Sequence, residues 1–195
     1  MRRFIVIGHK ASTAADFKLD DLAGGAGRLD VLLRCVNSAF FLSHDLRKDV
    51  EVILILQGPP SPTRTIRLVG SELRYLNPDE RSTGALIRNA LMKDTRSEER
   101  STPGIYVSSR SFQDVLGLME QETELVYLKE DGQDIRLAEI PENVTFVLSD
   151  HMDLTPDEES LLLQYHPKVL KLGPVSYHAD HCITIVNSEL DRRLI

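Results

Sequence analysis

The sequence predicts an α/β protein with a mostly parallel sheet, folded as one domain. Three observations carry that expectation. Short apolar runs of strand length recur along the chain and stop at glycine, proline or polar loops. Between them, apolar residues fall at three- and four-residue spacing, as in helices that bury one face. The chain has 195 residues, 42% of them hydrophobic, enough for one packed core, and no repeat or low-complexity segment divides it.

The elements follow in order. Phe4–Ile7 reads as a buried strand ending at Gly8. After the glycine-rich Gly24-Gly25-Ala26-Gly27, residues Leu29 to Leu42 read as a helix, with Leu29, Leu32, Leu33, Val36, Ala39 and Phe40 on one face and Asp30 in its first turn. Val50–Leu56 is a continuous apolar run closed by Gly58-Pro59-Pro60, the pattern of a central strand covered on both faces. Thr65–Val69 is a further strand, placed at an edge. A turn at Asn77-Pro78-Asp79 precedes a helix over Ser82–Met92, capped by Ser82 or Thr83.

Gly104–Ser108 reads as a short strand, and Ser111 caps a helix over Phe112–Gln121. Leu125–Leu128 and Thr145–Leu148 are strands that run into Lys129-Glu130-Asp131-Gly132 and Ser149-Asp150-His151. Thr155-Pro156-Asp157-Glu158 combines a Thr cap, a Pro at the first helical position and a Glu at the third, so it starts a helix. Val169–Leu172 is a last strand ending in Gly173-Pro174. A helix over most of Asp180–Leu194 closes the chain, with Ile183, Val186, Leu190 and Leu194 as its stripe.

Composition narrows the function classes. The net charge of −7 argues against a protein that coats nucleic acid by bulk electrostatics. The acidity is local, however: residues 1–60 carry +1, residues 61–110 carry +3 and residues 111–195 carry −11. A basic surface can therefore form from the first two parts. No apolar run reaches the roughly 18 residues of a membrane span, and the apolar stretch after Arg2-Arg3 is too short for a secretory signal. Cys35 and Cys182 are far apart in the chain and form no disulfide framework or zinc ribbon. A cytoplasmic, reduced protein is expected.

In parallel sheets ligands bind at the C-terminal strand ends. The three last strands end in Glu130-Asp131-Gly132, in Ser149-Asp150-His151, and in Gly173-Pro174 followed by His178-Ala179-Asp180-His181-Cys182. If these strands are neighbours, their loops converge on one pocket. His178, Asp180 and His181 contain metal-ligating types, but their spacing matches no metal signature and also fits an ordinary helix start with Asp180 serving the exposed N–H groups. Cys182 sits early in a helix, where a thiolate is favoured, yet a small buried side chain is the commoner role. No metal is expected. In the N-terminal half, Gly24 to Arg28 precedes a helix, so backbone N–H groups and Arg28 can face an anion; Arg34 and Arg74 add further guanidinium groups.

Five segments resemble the archaeal-type tRNA pseudouridine N1-methyltransferases of the SPOUT superfamily: 24–60 (GGAGRLDVLLRCVNSAFFLSHDLRKDVEVILILQGPP), 66–81 (IRLVGSELRYLNPDER), 127–136 (YLKEDGQDIR), 146–151 (FVLSDH) and 172–193 (LGPVSYHADHCITIVNSELDRR). The resemblance implies helices on both faces of the sheet and a C-terminal trefoil knot, a rare exception to the usual connection rules, with residues 125–195 as the knotted, cofactor-binding part. It implies S-adenosylmethionine as donor, tRNA pseudouridine at position 54 as acceptor and a homodimer. A related branch, Nep1, would imply a pseudouridine of ribosomal RNA instead. A non-catalytic RNA-binding protein that kept the fold is a third reading. Carried over by matching loops, the cofactor seat would include Leu128, Ser149, Leu172, Gly173, Pro174, Val175 and Cys182. Ser149 stands where the family usually has glycine, and His178 where a more apolar residue is expected. Asp30 or Asp150 would serve as base, Arg28 as stabiliser of ring charge, and Arg34 and Arg74 as RNA contacts.

Overall fold

A computed structural model describes residues 1–60, 62–94 and 97–194. Among them, eight strands form one sheet: β1 (Arg2–Gly8), β2 (Val50–Leu56), β3 (Arg64–Val69), β4 (Glu99–Thr102), β5 (Ile105–Ser108), β6 (Glu124–Asp134), β7 (Val144–Ser149) and β8 (Lys168–Lys171). Their spatial order is β4-β5-β3-β2-β1-β7-β6-β8. The run from β2 to β8 is parallel throughout, whereas β3, β5 and β4 add an antiparallel flank. The helices are α1 (Leu29–Phe40), α2 (Glu80–Leu91), α3 (Phe112–Glu120), α4 (Pro156–Leu163) and α5 (Ala179–Arg192).

Strand alternation sorts the core into two layers. Phe4 and Val6 of β1 and Val52, Leu54 and Leu56 of β2 point to the side covered by α1, α2 and α5. Ile5, Ile7, Ile53 and Ile55 point to the side covered by α3 and α4. Helices therefore lie on both faces, and β1 and β2 are apolar throughout their centres because neither face meets water. Phe4 and Phe146 stack across β1 and β7 with ring centroids 5.6 Å apart. Arg2 fastens α5 to the sheet end: its guanidinium meets Asp191 at 2.7 Å and Asn187 Oδ1 at 3.1 Å, and Arg47 grips Asp191 with both Nη atoms.

Three expectations need correction. Strand β3 is interior, between β2 and β5; the sheet edge on that side is β4, whose Glu-Arg-Ser-Thr sequence carries no apolar signal. The polar residues of β3 pair across the sheet, with Arg67 bonded to Glu51 (3.1 Å) and Glu98 (2.7 Å) and stacked on Tyr106. Helix α2 is capped by Asp79, which accepts from the Ser82 N–H at 2.7 Å; the Thr83 hydroxyl turns back to the Asp79 carbonyl. The N-terminus of α5 has no side-chain cap, from Asp180 or from His178 at the cap position. The Ser111 and Thr155 caps stand as expected, each in a reciprocal capping box. Thr155→Ala should cost about 1 kcal/mol in a denaturant titration.

Candidate functional site

Strands β7, β6 and β8 are neighbours, so the three pointed loops do meet. They enclose a cavity of about 610 Å³ at the C-terminal strand ends, within the size range of small-molecule sites. Leu128, Ser149 and Cys182 line it, together with Leu148, Met152, Leu154 and Tyr177. Leu172, Gly173 and Val175 line a small adjoining hollow that shares Leu128, Tyr177 and Cys182 with the larger one; Pro174, between them in the chain, lines neither.

The walls are polar where they face the opening. Lys129 is paired with Glu159 at 2.6 Å, and the Ser176 hydroxyl donates to Glu130, joining the first loop to the third. Asp150, Asp153 and Glu159 add further negative charge beside His151 and His178. Such a lining suits a ligand that is cationic, carries an amino-acid group and offers an apolar ring to the leucines. S-adenosylmethionine has those features. A Cβ on Gly173 would lie 2.6 Å from the Tyr177 hydroxyl, so a larger residue here would push that ring aside in the hollow it lines.

His9 is the residue that sequence reading missed. It follows β1 at the same end of the sheet, and its buried imidazole bridges two carboxylates: Nδ1 is 3.0 Å from Asp150 Oδ1 and Nε2 is 3.0 Å from Glu158 Oε2. The His9 backbone N–H also donates to Asp150 Oδ2 at 2.9 Å. These hydrogen bonds, first from Asp150 and then from Glu158, outweigh burial and raise the imidazole to about 9. Burial pushes both carboxyls up, yet the bond to His9 and neighbouring N–H groups hold them below the ordinary range, Glu158 at about 2. The signal was local and weak: a histidine directly after an apolar strand, with its partners more than 140 residues away.

Asp30 is the hub of a second cluster. Arg28 reaches it with Nε and Nη2 at 3.0 and 3.2 Å, and Arg34 with Nη1 at 2.9 Å; Arg34 also touches Glu80 at 3.5 Å. Burial raises the Asp30 carboxyl, but the two guanidinium groups prevail and hold it below the ordinary carboxylate range. Arg28 occupies the α1 N-cap in the left-handed region, φ 65, where a residue with a side chain is strained. Its charge is supported first by Asp30 and, more distantly, by Asp150, so the α1 N-terminus lies within electrostatic reach of the cavity wall. Arg74 is not brought to this region. It follows β3, whose C-terminal residue Val69 pairs with Glu51 at the start of β2, at the opposite end of the sheet.

Cys182 lines the cavity with its thiol pushed up to about 11, chiefly by burial and then by Glu130 and Asp180. A shift from 9.0 to about 11 leaves about a hundredfold less thiolate near neutral pH. Iodoacetamide should therefore alkylate Cys182 slowly at pH 7.5 and much faster toward pH 10.5, followed by peptide mass spectrometry. Among the described residues, no three His, Cys, Asp or Glu side chains gather as metal ligands. No helix among them is long and apolar enough to cross a membrane.

The whole chain, residues 1–195, matches the family described as "Putative SAM-dependent RNA methyltransferase". It is 54% identical, over 99% of its length and all of the relative's, to a tRNA (pseudouridine(54)-N(1))-methyltransferase of Methanocella arvoryzae. It is 51% identical to the protein of that name from Haloferax volcanii, with 98% and 96% of the two chains aligned. Among solved structures, Nep1 of Archaeoglobus fulgidus bound to S-adenosylhomocysteine superposes with a TM-score of 0.66 at 14% identity, covering 100% of this chain and 99% of that one, a likeness of fold. The mostly parallel sheet with helices on both faces, expected from the sequence segments, is thus the one this chain builds, and the chain belongs to the SAM-dependent RNA methyltransferase family.

Proposed function

We propose that this chain transfers a methyl group from S-adenosylmethionine to N1 of pseudouridine at position 54 of tRNA. The observation that carries the reading is the polar cavity at the C-terminal ends of β6, β7 and β8, in a chain about half identical along its whole length to enzymes named for that reaction. The ribosomal-RNA reading has only a likeness of fold at 14% identity behind it.

When bound, the donor supplies a methyl already activated on a sulfonium. The protein's task is then binding and orientation. Leu128, Ser149, Leu172, Gly173, Val175 and Cys182 would form the seat, with Pro174 holding the turn between Gly173 and Val175, and Glu130, Asp153 and Glu159 facing positive charge. Arg28 would stabilise negative charge on the uracil carbonyl oxygens as the N1 proton passes to solvent water. Asp30 and Asp150, the two carboxylates expected as base, are already hydrogen-bonded and held as anions, which makes each a poor proton acceptor. In this reading Asp30 aims Arg28, and Asp150 anchors its loop. Arg34 continues the cationic line along α1. Arg74 would meet RNA away from this chain's own cavity, an arrangement that suits a homodimer.

The C-terminal crossing supports a trefoil knot. Leu170 of β8 pairs with both Leu128 and Gln133 of β6. A strand residue and its neighbours offer backbone groups to opposite sides. Pairing of one residue with both therefore fits a chain that passes over β8 between them. A tRNA substrate also fits action in the cytoplasm. Calorimetric titration with S-adenosylhomocysteine tests the donor half: saturable binding at one site per chain is expected, and no binding would remove the reading in favour of a fold kept for RNA contact alone.

A further inference from the structure

We propose that His9 is a positioning residue for the donor cavity: by bridging Asp150 and Glu158 it clamps the 149–155 wall to the end of β1, and donor affinity depends on that clamp. The inference rests on reading the cavity as the donor site.

The segment between β7 and α4 carries Ser149, Asp150, His151, Met152 and Leu154 into the cavity wall, without regular secondary structure after β7. It is fastened at both ends through one imidazole. At its start, Asp150 takes His9 Nδ1 and the His9 N–H, and also the Met152 N–H at 2.9 Å, while the Asp150 N–H donates to the Ile7 carbonyl. At its far end, Glu158 Oε2 takes His9 Nε2 together with the Thr155 N–H (2.8 Å) and hydroxyl (2.9 Å) that close the α4 capping box. The Asp150 side chain is fully buried and that of His9 is 8% exposed, so little water is present to replace a lost bond. Two carboxylates so placed need the ring charged, with a proton on each nitrogen. Without it, buried negative charges would face each other, a costly arrangement.

The groups that face this centre come from every element around it. Asp150 comes from the β7 loop and Glu158 from α4, whose carboxylate also bonds Gln57 after β2. His151 Nδ1 lies 3.6 Å from Asp150 Oδ2, and Arg28 acts on Asp150 from the α1 N-terminus. The sign follows from the His9 shift. Its ionic contribution is complete below the ordinary histidine value of 6.5 and is lost as pH rises through about 9. The lowered carboxyls keep their contribution until strongly acid pH.

The test is titration of S-adenosylhomocysteine into the wild-type protein and the His9→Gln and Glu158→Gln variants from pH 6.5 to 10, with hydrogen exchange of the 149–155 amides. Wild-type affinity should be flat to pH 8 and fall at least tenfold by pH 10, with exchange of 149–155 quickening in step. His9→Gln should bind at least tenfold more weakly at pH 7.5, without the alkaline step, and raise the donor KM more than it lowers kcat. Glu158→Gln leaves the imidazole one carboxylate and should move the step to lower pH; this variant decides if His9→Gln fails to fold. Wild-type affinity and pH profile in both variants would overturn the proposal, as would faster exchange spread evenly over the sheet. A wild-type protein that binds no S-adenosylhomocysteine at any pH would instead sink the donor reading, with the exchange pattern still reporting on the clamp.

Discussion

Arg28→Ala should lower the single-turnover methylation rate by about 10²–10³, the usual cost of removing one preorganised donor to developing negative charge. The fold should survive. The Arg28 side chain is 41% exposed, its partner Asp30 keeps Arg34, and Arg28 contributes to the α1 start through its backbone: its N–H donates to the Ala23 carbonyl and its own carbonyl accepts from Val31. Arg28→Gly separates function from stability more sharply. A left-handed residue with a side chain costs about 1–2 kcal/mol that glycine does not, so this variant should melt at or above the wild-type temperature while losing the same rate. Equal losses of rate and melting temperature would make Arg28 a structural residue. An unchanged rate would remove it from the chemistry.

Gly132→Ala should be the most damaging single-methyl change in the C-terminal part. The added Cβ would lie 2.7 Å from the Leu170 carbonyl carbon, the Leu170 nitrogen and the Val169 carbonyl carbon, and backbone cannot turn aside as a side-chain end can. The segment would have to lift off β8, with a stability loss of about 3 kcal/mol and with displacement of Leu128 and Glu130 from the cavity. Gly117→Ala is the matched control. Its Cβ would find only the Tyr165 hydroxyl at 3.8 Å, inside helix α3, where alanine should add about 0.5–1 kcal/mol. Denaturant midpoints for both, with S-adenosylhomocysteine affinity for Gly132→Ala, check the pair. Unaltered affinity and midpoint in Gly132→Ala would mean that the crossing does not shape the cavity.

What the sequence revealed follows the range of the interactions involved. The central strands and the Ser111 and Thr155 caps were legible because periodicity and capping chemistry are local. Strand β4 was not, since Glu99–Thr102 is held by pairing to β5 and has no apolar pattern of its own. Likewise, the polar side chains of β3 find their partners across the sheet. At the site, the convergence of the three loops could be read only if β6, β7 and β8 were neighbours, and they are. His9 left only a faint local signal, because its meaning lies in Asp150, brought to it by the parallel pairing of β1 with β7, and in Glu158 on α4. The acidic balance of the C-terminal part also gained a location. Glu130, Asp153 and Glu159 line the cavity, so part of that charge suits a cationic donor rather than opposing RNA.

The most direct test gives the purified protein S-adenosylmethionine with a deuterated methyl and two tRNA transcripts, identical except for pseudouridine or uridine at position 54. Nuclease digestion and mass spectrometry then locate the label. One labelled methyl per tRNA is expected, on N1 of pseudouridine 54, and none in the uridine transcript. Equal labelling of both, or label at another nucleotide, would contradict it.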